Sequence, residues 1–278
     1  MQKLENKFKE VNERLNNDIN FIIQAFINFY GTDNSEYIVD KIKDSRVIWY
    51  DESSDMNDNI YNHIISSLPK DELDRILKER KKEAFLQSVY IDEFDVLVLP
   101  LSYDLTKIIH EINHKIGSHI VSRKPLIQIS GISYSVEKNG IIEYDNDLNE
   151  AINQKMTLEI IEELEKIGLK VEVTPSWQEN LFPVIDSFYS AFKDNLKELN
   201  VSGNLLKFRE SLGDEYFSQF SQLIFMCGFK ARDEAQKGTK KEKVDFSDDK
   251  INAIDNLVLK MKEYHDSLLQ NNGKKSYK

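Results

Sequence analysis

The chain has 278 residues, of which 40% are hydrophobic and 31% charged, as in an ordinary globular protein with a sizeable core. Its net charge of -11 argues against a general nucleic-acid binder and against adhesion to anionic membranes. The single cysteine, Cys227, excludes an internal disulfide and a cysteine-rich zinc site, and its apolar neighbours predict a buried thiol.

The beginning of the chain carries no recognisable targeting segment. Residues Met1 to Arg14 are highly charged, and the apolar run from Ile19 to Tyr30 is short and interrupted by polar residues. Neither stretch resembles a secretory signal or a span that crosses a bilayer. We therefore expect a cytoplasmic protein with no membrane partner.

The first part of the chain is predicted to be mainly helical. The periodic spacing of apolar residues indicates the helices, and Gly31 and Pro69 mark where helices end or begin. The predicted elements are a helix over Leu4 to Tyr30, a short helix from Asn34 or Ser35 to Lys43, a strand over Val47 to Tyr50, and helices over Asp58 to Leu68 and Lys70 to Ser88.

The centre of the chain mixes strands and helices. The predicted elements are a strand over Asp95 to Pro100, a helix over Tyr103 to Ile120, a β-rich run over Leu126 to Val136, a type I′ turn at Asn139-Gly140 leading into Ile141 to Tyr144, a helix over Asp147 to Ile167 ended by Gly168, and a strand over Val171 to Val173.

The last part of the chain is predicted to be helical again. The predicted helices are Trp177 to Leu199, Leu205 to Leu212, Asp214 to Phe229 and Asp248 to Leu269, with a mobile charged loop over Lys230 to Lys243 and a disordered tail from Asn271. The order indicates an α+β, mostly helical fold. We divide it into a helical region over 1–90, a central region over 91–175 and a helical region over 176–278, which can also form one compact two-lobed unit.

The sequence His110-Glu111-Ile112-Asn113-His114 is an HExxH motif. Histidines four residues apart lie on the same face of a helix, so both imidazoles can bind one Zn²⁺ ion. Glu111 is then placed to act as a general base toward a metal-activated water. The alternative is an amphipathic helix with incidental histidines.

The surroundings of the motif favour the metal site. Leu105, Ile108, Ile109, Ile112 and Ile116 follow helical spacing, which indicates a mostly buried helix. Burial of two histidines and a glutamate without partners would be costly, and a shared metal ion would remove that cost. Asp104 or Ser102 is suited to cap the start of this helix, and Gly117 to end it.

Two residues compete as the third protein ligand that a catalytic zinc ion usually takes. A metzincin pattern needs glycine seven and histidine ten residues after the first motif histidine. Gly117 fits, but position ten is Ile120, and His119 falls one residue short. The other candidate is Glu150, in the segment Asn149-Glu150-Ala151-Ile152 that opens the next predicted helix.

The pairing of this segment with the HExxH motif resembles the gluzincins, the thermolysin-like zinc peptidases. The resemblance implies a zincin-like core in which His110, His114 and Glu150 bind one catalytic zinc ion and Glu111 is the general base. The family often has an acidic residue four positions after the ligand glutamate, and this chain has Gln154 there. The gap between the two motif segments is longer than in thermolysin and holds the predicted hairpin.

These observations predict a zinc metallopeptidase that hydrolyses peptide bonds of a peptide or protein substrate. The resemblance leaves the oxyanion-stabilising residue open among Tyr189, Tyr216 and His265. We expect His63 and His265 to face solvent, and Trp49 and Trp177 to pack. One alternative is a non-catalytic zinc-site protein that binds a partner peptide, and another is a helical interaction protein with an accidental motif.

Overall fold

The computed structural model describes residues 2–52, 60–79, 87–123, 126–137, 141–236, 244 and 246–275. It confirms an α+β architecture that is mostly helical. The helices are α1 (Gln2–Tyr30), α2 (Ser35–Lys43), α3 (Lys70–Glu79), α4 (Leu105–Ile116), α5 (Asn146–Lys166), α6 (Phe182–Ser202), α7 (Leu205–Leu212), α8 (Asp214–Gln236) and α9 (Asp248–Lys275). The strands are β1 (Arg46–Tyr50), β2 (Ile64–Ser66), β3 (Val89–Ile91), β4 (Val96–Pro100), β5 (Ser118–Arg123), β6 (Leu126–Ser130), β7 (Ser133–Glu137) and β8 (Ile141–Tyr144).

The first of two compact units contains residues 1–116 and 156–174. Its sheet has the order β2-β1-β4-β3, with β1 and β4 parallel and the two edge strands antiparallel to them. The apolar runs Val47–Tyr50 and Val96–Leu99 are continuous rather than alternating because strands at the centre of such a sheet are buried on both faces. Helix α4 packs against β3 and β4, and α2 packs against α4.

The second unit contains residues 117–155 and 175–278. Its sheet is an antiparallel meander in the order β5-β6-β7-β8. The helical part has an aromatic core formed by Phe188, Phe192, Phe217 and Phe220, in which the rings of Phe188 and Phe220 stack at 4.5 Å between centroids. Helix α5 belongs to the second unit through residue 155 and to the first unit from residue 156.

Several predicted elements are wrong in type or extent. Residues 60–68 hold β2 and a 3₁₀ turn instead of a helix, and residues 171–173 are not a strand. The β-rich run 126–136 is two strands that turn at Gly131, and β3 and β5 were not predicted. Helix α9 continues to Lys275, into the tail that was expected to be disordered. Helix α8 likewise extends to Gln236, into the expected loop.

Other predictions are confirmed by the described residues. Cys227 is fully buried, β1 and α7 lie where the sequence predicts them, and Gly31 ends α1 with a positive φ of 95°. The predicted turn at Asn139-Gly140 lies outside the described residues. No helix within the described ranges is both long enough and apolar enough to cross a membrane. The two compact units have boundaries that differ from the three regions defined on the sequence.

Candidate metal centre

Helix α4 carries the HExxH motif and is fixed at both ends. Asp104 caps its start, since one carboxylate oxygen accepts a hydrogen bond from the backbone N–H of Lys107 at 3.2 Å. At its end the Tyr37 hydroxyl donates to the carbonyl of Ile116 at 2.6 Å. Burial raises the pKa of Tyr37, so its hydroxyl keeps the proton that it donates. Both ends of the helix therefore have side-chain partners for backbone groups that helices leave unsatisfied.

The face of α4 that points into the first unit carries polar as well as apolar side chains. Asn113 is fully buried and accepts a 2.5 Å hydrogen bond from the Tyr30 hydroxyl, which also contacts the sulfur of Met156 on α5. The ammonium group of Lys115 is buried and forms an ion pair with Asp95 at 2.9 Å. Because these groups need specific partners, they fix the rotation of α4 about its axis.

The two motif histidines face each other across one helical turn. Their Nε2 atoms lie 3.1 Å apart, and their rings meet edge to face with 4.8 Å between centroids. His110 is 8% exposed and Glu111 is 6% exposed, while His114 is half-buried. Two imidazole nitrogens this close together can supply half of a typical zinc coordination set.

Glu150 completes a group of three ligand side chains with these histidines. One ligand atom from each of His110, His114 and Glu150 lies within 4.8 Å of the other two. Glu150 lies on α5 fewer than two turns before Met156, which shares the contact with Tyr30 described above. In the part of the chain that the structure describes, no other group of histidine, cysteine, aspartate or glutamate side chains meets this spacing.

The chemistry and spacing of these side chains fit a metal ion. Ligands at about 2.1 Å from a tetrahedral zinc ion lie about 3.4 Å from each other. The histidine nitrogens are already near that separation, and the Glu150 carboxylate lies within 4.8 Å of them. This group could therefore hold one metal ion.

A short 3₁₀ helix over Trp177–Leu181 contacts the ligand-bearing part of α5. The side-chain amide of Gln178 donates to Oε2 of Glu150 at 3.3 Å. Gln154, one turn after Glu150, donates to Glu179 at 3.2 Å. Gln154 stands where the gluzincins often have an acidic supporting residue, and here it forms a hydrogen bond with this 3₁₀ helix.

Glu111 belongs to a group of charged side chains near Tyr50 at the end of β1, together with Lys107 in the first turn of α4 and Glu52. Burial is the main cause that raises the pKa of Tyr50, and the charge of Glu111 adds to it. Lys107, one turn before Glu111, pairs with Glu52 at 3.0 Å. Glu111 is thus a buried carboxylate directly beside His110 in the sequence, in the same charged neighbourhood as Tyr50 and Lys107.

The remaining sequence candidates have other contacts. His119 lies on β5, and its Nε2 forms a 2.7 Å hydrogen bond with the carbonyl of Asn200. His265 is half-buried against the ring of Phe192, and His63 is also half-buried, so both are only partly exposed to solvent. Trp49 is fully buried, as expected for a packing residue.

The three residues that the sequence suggested for oxyanion stabilisation lie in different surroundings. Tyr189 is buried on α6 with the Lys155 ammonium 5.3 Å above its ring. Tyr216 packs edge to face against Tyr264. His265 has its Nδ1 atom 3.2 Å from the carbonyl of Ser211.

Sequence reasoning missed Gln178 and the partners that fix α4. The pattern Ser176-x-x-Glu179 is a capping-box signature and could have placed Gln178 in a first helical turn. Nothing local in the sequence pairs Tyr30 with Asn113 or Asp95 with Lys115. The partners are distant along the chain and come into contact only in the folded structure.

Comparisons of the chain with protein-family models, with curated proteins and with solved structures found no match. The functional assignment therefore depends on the residues and their geometry.

Proposed function

We propose that this protein is a zinc-dependent peptidase in which His110, His114 and Glu150 hold the metal ion. The proposal is carried by one observation, the grouping of these three ligand atoms within 4.8 Å of one another. Two imidazoles and a carboxylate are a common protein set for catalytic zinc. A ligand-bearing helix beside a sheet, with the third ligand on a later helix, supports a zincin-like core of the thermolysin type.

Zinc held by this set would lower the pKa of a water molecule toward neutrality and polarise the substrate carbonyl. Glu111 would accept one proton from that water as its oxygen bonds to the carbonyl carbon of the substrate. The same carboxyl group would then return the proton to the amide nitrogen as the C–N bond breaks. The products are a carboxylic acid and an amine, so the peptide bond is hydrolysed without any other reactant.

The first test separates chemistry from metal binding. Glu111→Gln should keep stoichiometric zinc, because Glu111 is not one of the ligands, and should lose peptide hydrolysis by about 10²–10⁴-fold. Activity is measured by mass spectrometry on a diverse peptide library, and metal content by elemental analysis. Glu162→Gln on the exposed side of α5 is the control and should retain both.

Two results would contradict the proposal. Undiminished hydrolysis by Glu111→Gln would remove Glu111 from the mechanism. Stoichiometric zinc in the native chain without cleavage of any library peptide would favour the non-catalytic zinc-site protein.

A further inference from the structure

Gln178 lies outside the proposed ligand set and contacts one of its members, Glu150. Its side-chain amide nitrogen donates to Oε2 of Glu150 at 3.3 Å, and the residue is only 9% exposed. Its amide oxygen is buried and has no hydrogen-bond partner among the described residues. An unsatisfied buried acceptor is unfavourable, and native structures rarely keep one without a reason.

The orientation of this amide follows from the neighbouring carboxylate. If the amide were rotated by 180°, its oxygen would face the Glu150 carboxylate, and two acceptors would repel each other. The observed orientation gives the N–H group to Glu150 and leaves the amide oxygen unpaired. Gln178 therefore donates a hydrogen bond to the Glu150 carboxylate while its own amide oxygen accepts none among the described residues.

The 3₁₀ helix that carries Gln178 is itself held in register with α5. Its capping box joins the backbone N–H of Ser176 to Oε1 of Glu179 at 2.9 Å, and the same oxygen accepts the hydrogen bond from Gln154. Two contacts one helical turn apart, at Glu150 and at Gln154, prevent this segment from sliding along α5. The amide of Gln178 is thus placed by a hydrogen-bonded support and not by its own flexible side chain alone.

A further contact fixes the start of the same segment. The guanidinium group of Arg232 lies 5.8 Å above the ring of Trp177 and forms an ion pair with Asp147 in the first turn of α5. Asp147 is buried, since only 4% of its side chain is exposed. The residue before Gln178 and the turn before Glu150 are therefore joined through one arginine.

From these contacts we propose that Gln178 is a positioning residue for the metal ligand Glu150, an inference that rests on the proposed zinc site. A free glutamate side chain has several rotamers, and a fixed donor selects the one in which the carboxylate faces His110 and His114. Partners of this kind typically contribute 10–100-fold to metal affinity. The effect is exerted through Glu150, so Gln178 itself need not touch substrate.

The test measures zinc affinity by competition with a chromophoric chelator and coordination geometry by the visible absorption of the Co²⁺-substituted protein. Gln178→Met removes the amide at similar volume and should weaken zinc binding about 10-fold and change the Co²⁺ bands. Gln128→Met is the matched control, because Gln128 is a buried glutamine in the same unit that donates to Ser118 at 3.1 Å. It should keep the native affinity and spectrum.

A second variant covers the case in which the methionine substitution prevents folding. Gln178→Asn keeps a polar amide but is one methylene shorter, so its nitrogen no longer reaches Glu150, and we expect the same loss of affinity. Circular dichroism identifies which variants are folded before titration.

The outcomes separate this inference from the proposed function. If the native protein and Gln128→Met bind zinc and hydrolyse peptides, and folded Gln178 variants match them in affinity and spectrum, the positioning role is overturned and the zinc peptidase stands. Equal weakening in the Gln128 and Gln178 variants also overturns it. If the native protein binds no zinc, the proposed function fails first.

Discussion

The ion pair between Lys115 and Asp95 gives the sharpest test of how α4 is held beside the sheet. The ammonium group is almost completely buried, whereas the Asp95 side chain is 52% exposed. Asp95→Asn removes the negative charge and keeps the shape. Asparagine adopts left-handed backbone more readily than most residues, so the positive φ of 51° at this position is retained. The substitution therefore isolates the charge of the partner.

The expected cost follows from the 2.9 Å separation. A pair at that distance interacts by about 1.4 kcal/mol in bulk water and about 5.7 kcal/mol at an effective dielectric constant of 20. Because Lys115 is buried and Asp95 is half in solvent, the effective screening lies between these limits. We expect Asp95→Asn to lower the free energy of unfolding by about 2–3 kcal/mol, since it leaves a buried cation unpaired.

Urea denaturation at neutral pH measures this loss, and a second variant provides the control. Lys115→Met removes the buried charge, its desolvation cost and the ion pair together, so we expect it to be near neutral. Adding Asp95→Asn to Lys115→Met should then cost less than about 0.5 kcal/mol. If Asp95→Asn alone costs as little in the native background, the buried cation is satisfied in another way and the reasoning is refuted.

The pH dependence of the same pair has a definite sign. Burial alone would raise the pKa of Asp95, but the hydrogen bond and charge of Lys115, together with the hydrogen bond from Tyr90 and the charge of Lys41, outweigh it and lower the pKa below the ordinary value. A carboxyl group with a lowered pKa in the folded state stabilises the fold fully above its unfolded pKa of about 3.9. That stabilisation is lost as the pH falls below this value, and Asp95→Asn should lose less stability than the native chain over the same acid range.

Three further outcomes follow from the structure. Tyr30→Phe removes the hydrogen bond from the Tyr30 hydroxyl to the buried Asn113 oxygen and should cost about 0.5–1.5 kcal/mol in urea unfolding, with Tyr61→Phe at an exposed hydrogen bond as control. Gly131→Ala places a Cβ against Asn149 Oδ1 at a φ of 57°, so it should cost at least about 2 kcal/mol, whereas substitution at the open Gly168 should cost less. Zinc at 100 times its dissociation constant should stabilise the native protein by about 2.7 kcal/mol and leave His114→Ala unchanged in thermal unfolding. Equal zinc effects on both chains would contradict the ligand assignment.

The elements that sequence predicts best are those whose pattern agrees with their surroundings. Helix α4 has helical apolar spacing and its aspartate cap, so its start and burial could be read directly, whereas its predicted end at Ile120 is wrong because β5 begins at Ser118. Residues 60–68 have apolar positions compatible with a helix, but Ile65 pairs with Trp49 across β1 and β2, and this pairing determines the conformation. Val171 and Val173 alternate like a strand. Instead, the Thr106 hydroxyl on α4 lies within hydrogen-bond distance of the Glu172 carbonyl and accepts from the Thr174 N–H.

The residues of the candidate site also differ in how far the sequence could predict them. The histidine pair was predictable because a four-residue spacing has a fixed meaning on a helix. Glu150 was suggested by resemblance, and the structure brings it to the histidines although 35 residues that include a four-stranded meander separate it from His114. Gln178 was not predictable, because its amide reaches Glu150 only through the packing of one segment on another.

The buried Asn113 changes how substitutions within the HExxH motif should be understood. As a pattern, the motif leaves its third and fourth positions open to any residue. In this chain the fourth position is Asn113, which is fully buried and bonded to Tyr30, and the third is Ile112, which is 2% exposed. Both positions are therefore constrained by packing. Substitutions there therefore test the attachment of the helix, whereas substitutions of His110, Glu111 and His114 test the proposed metal chemistry.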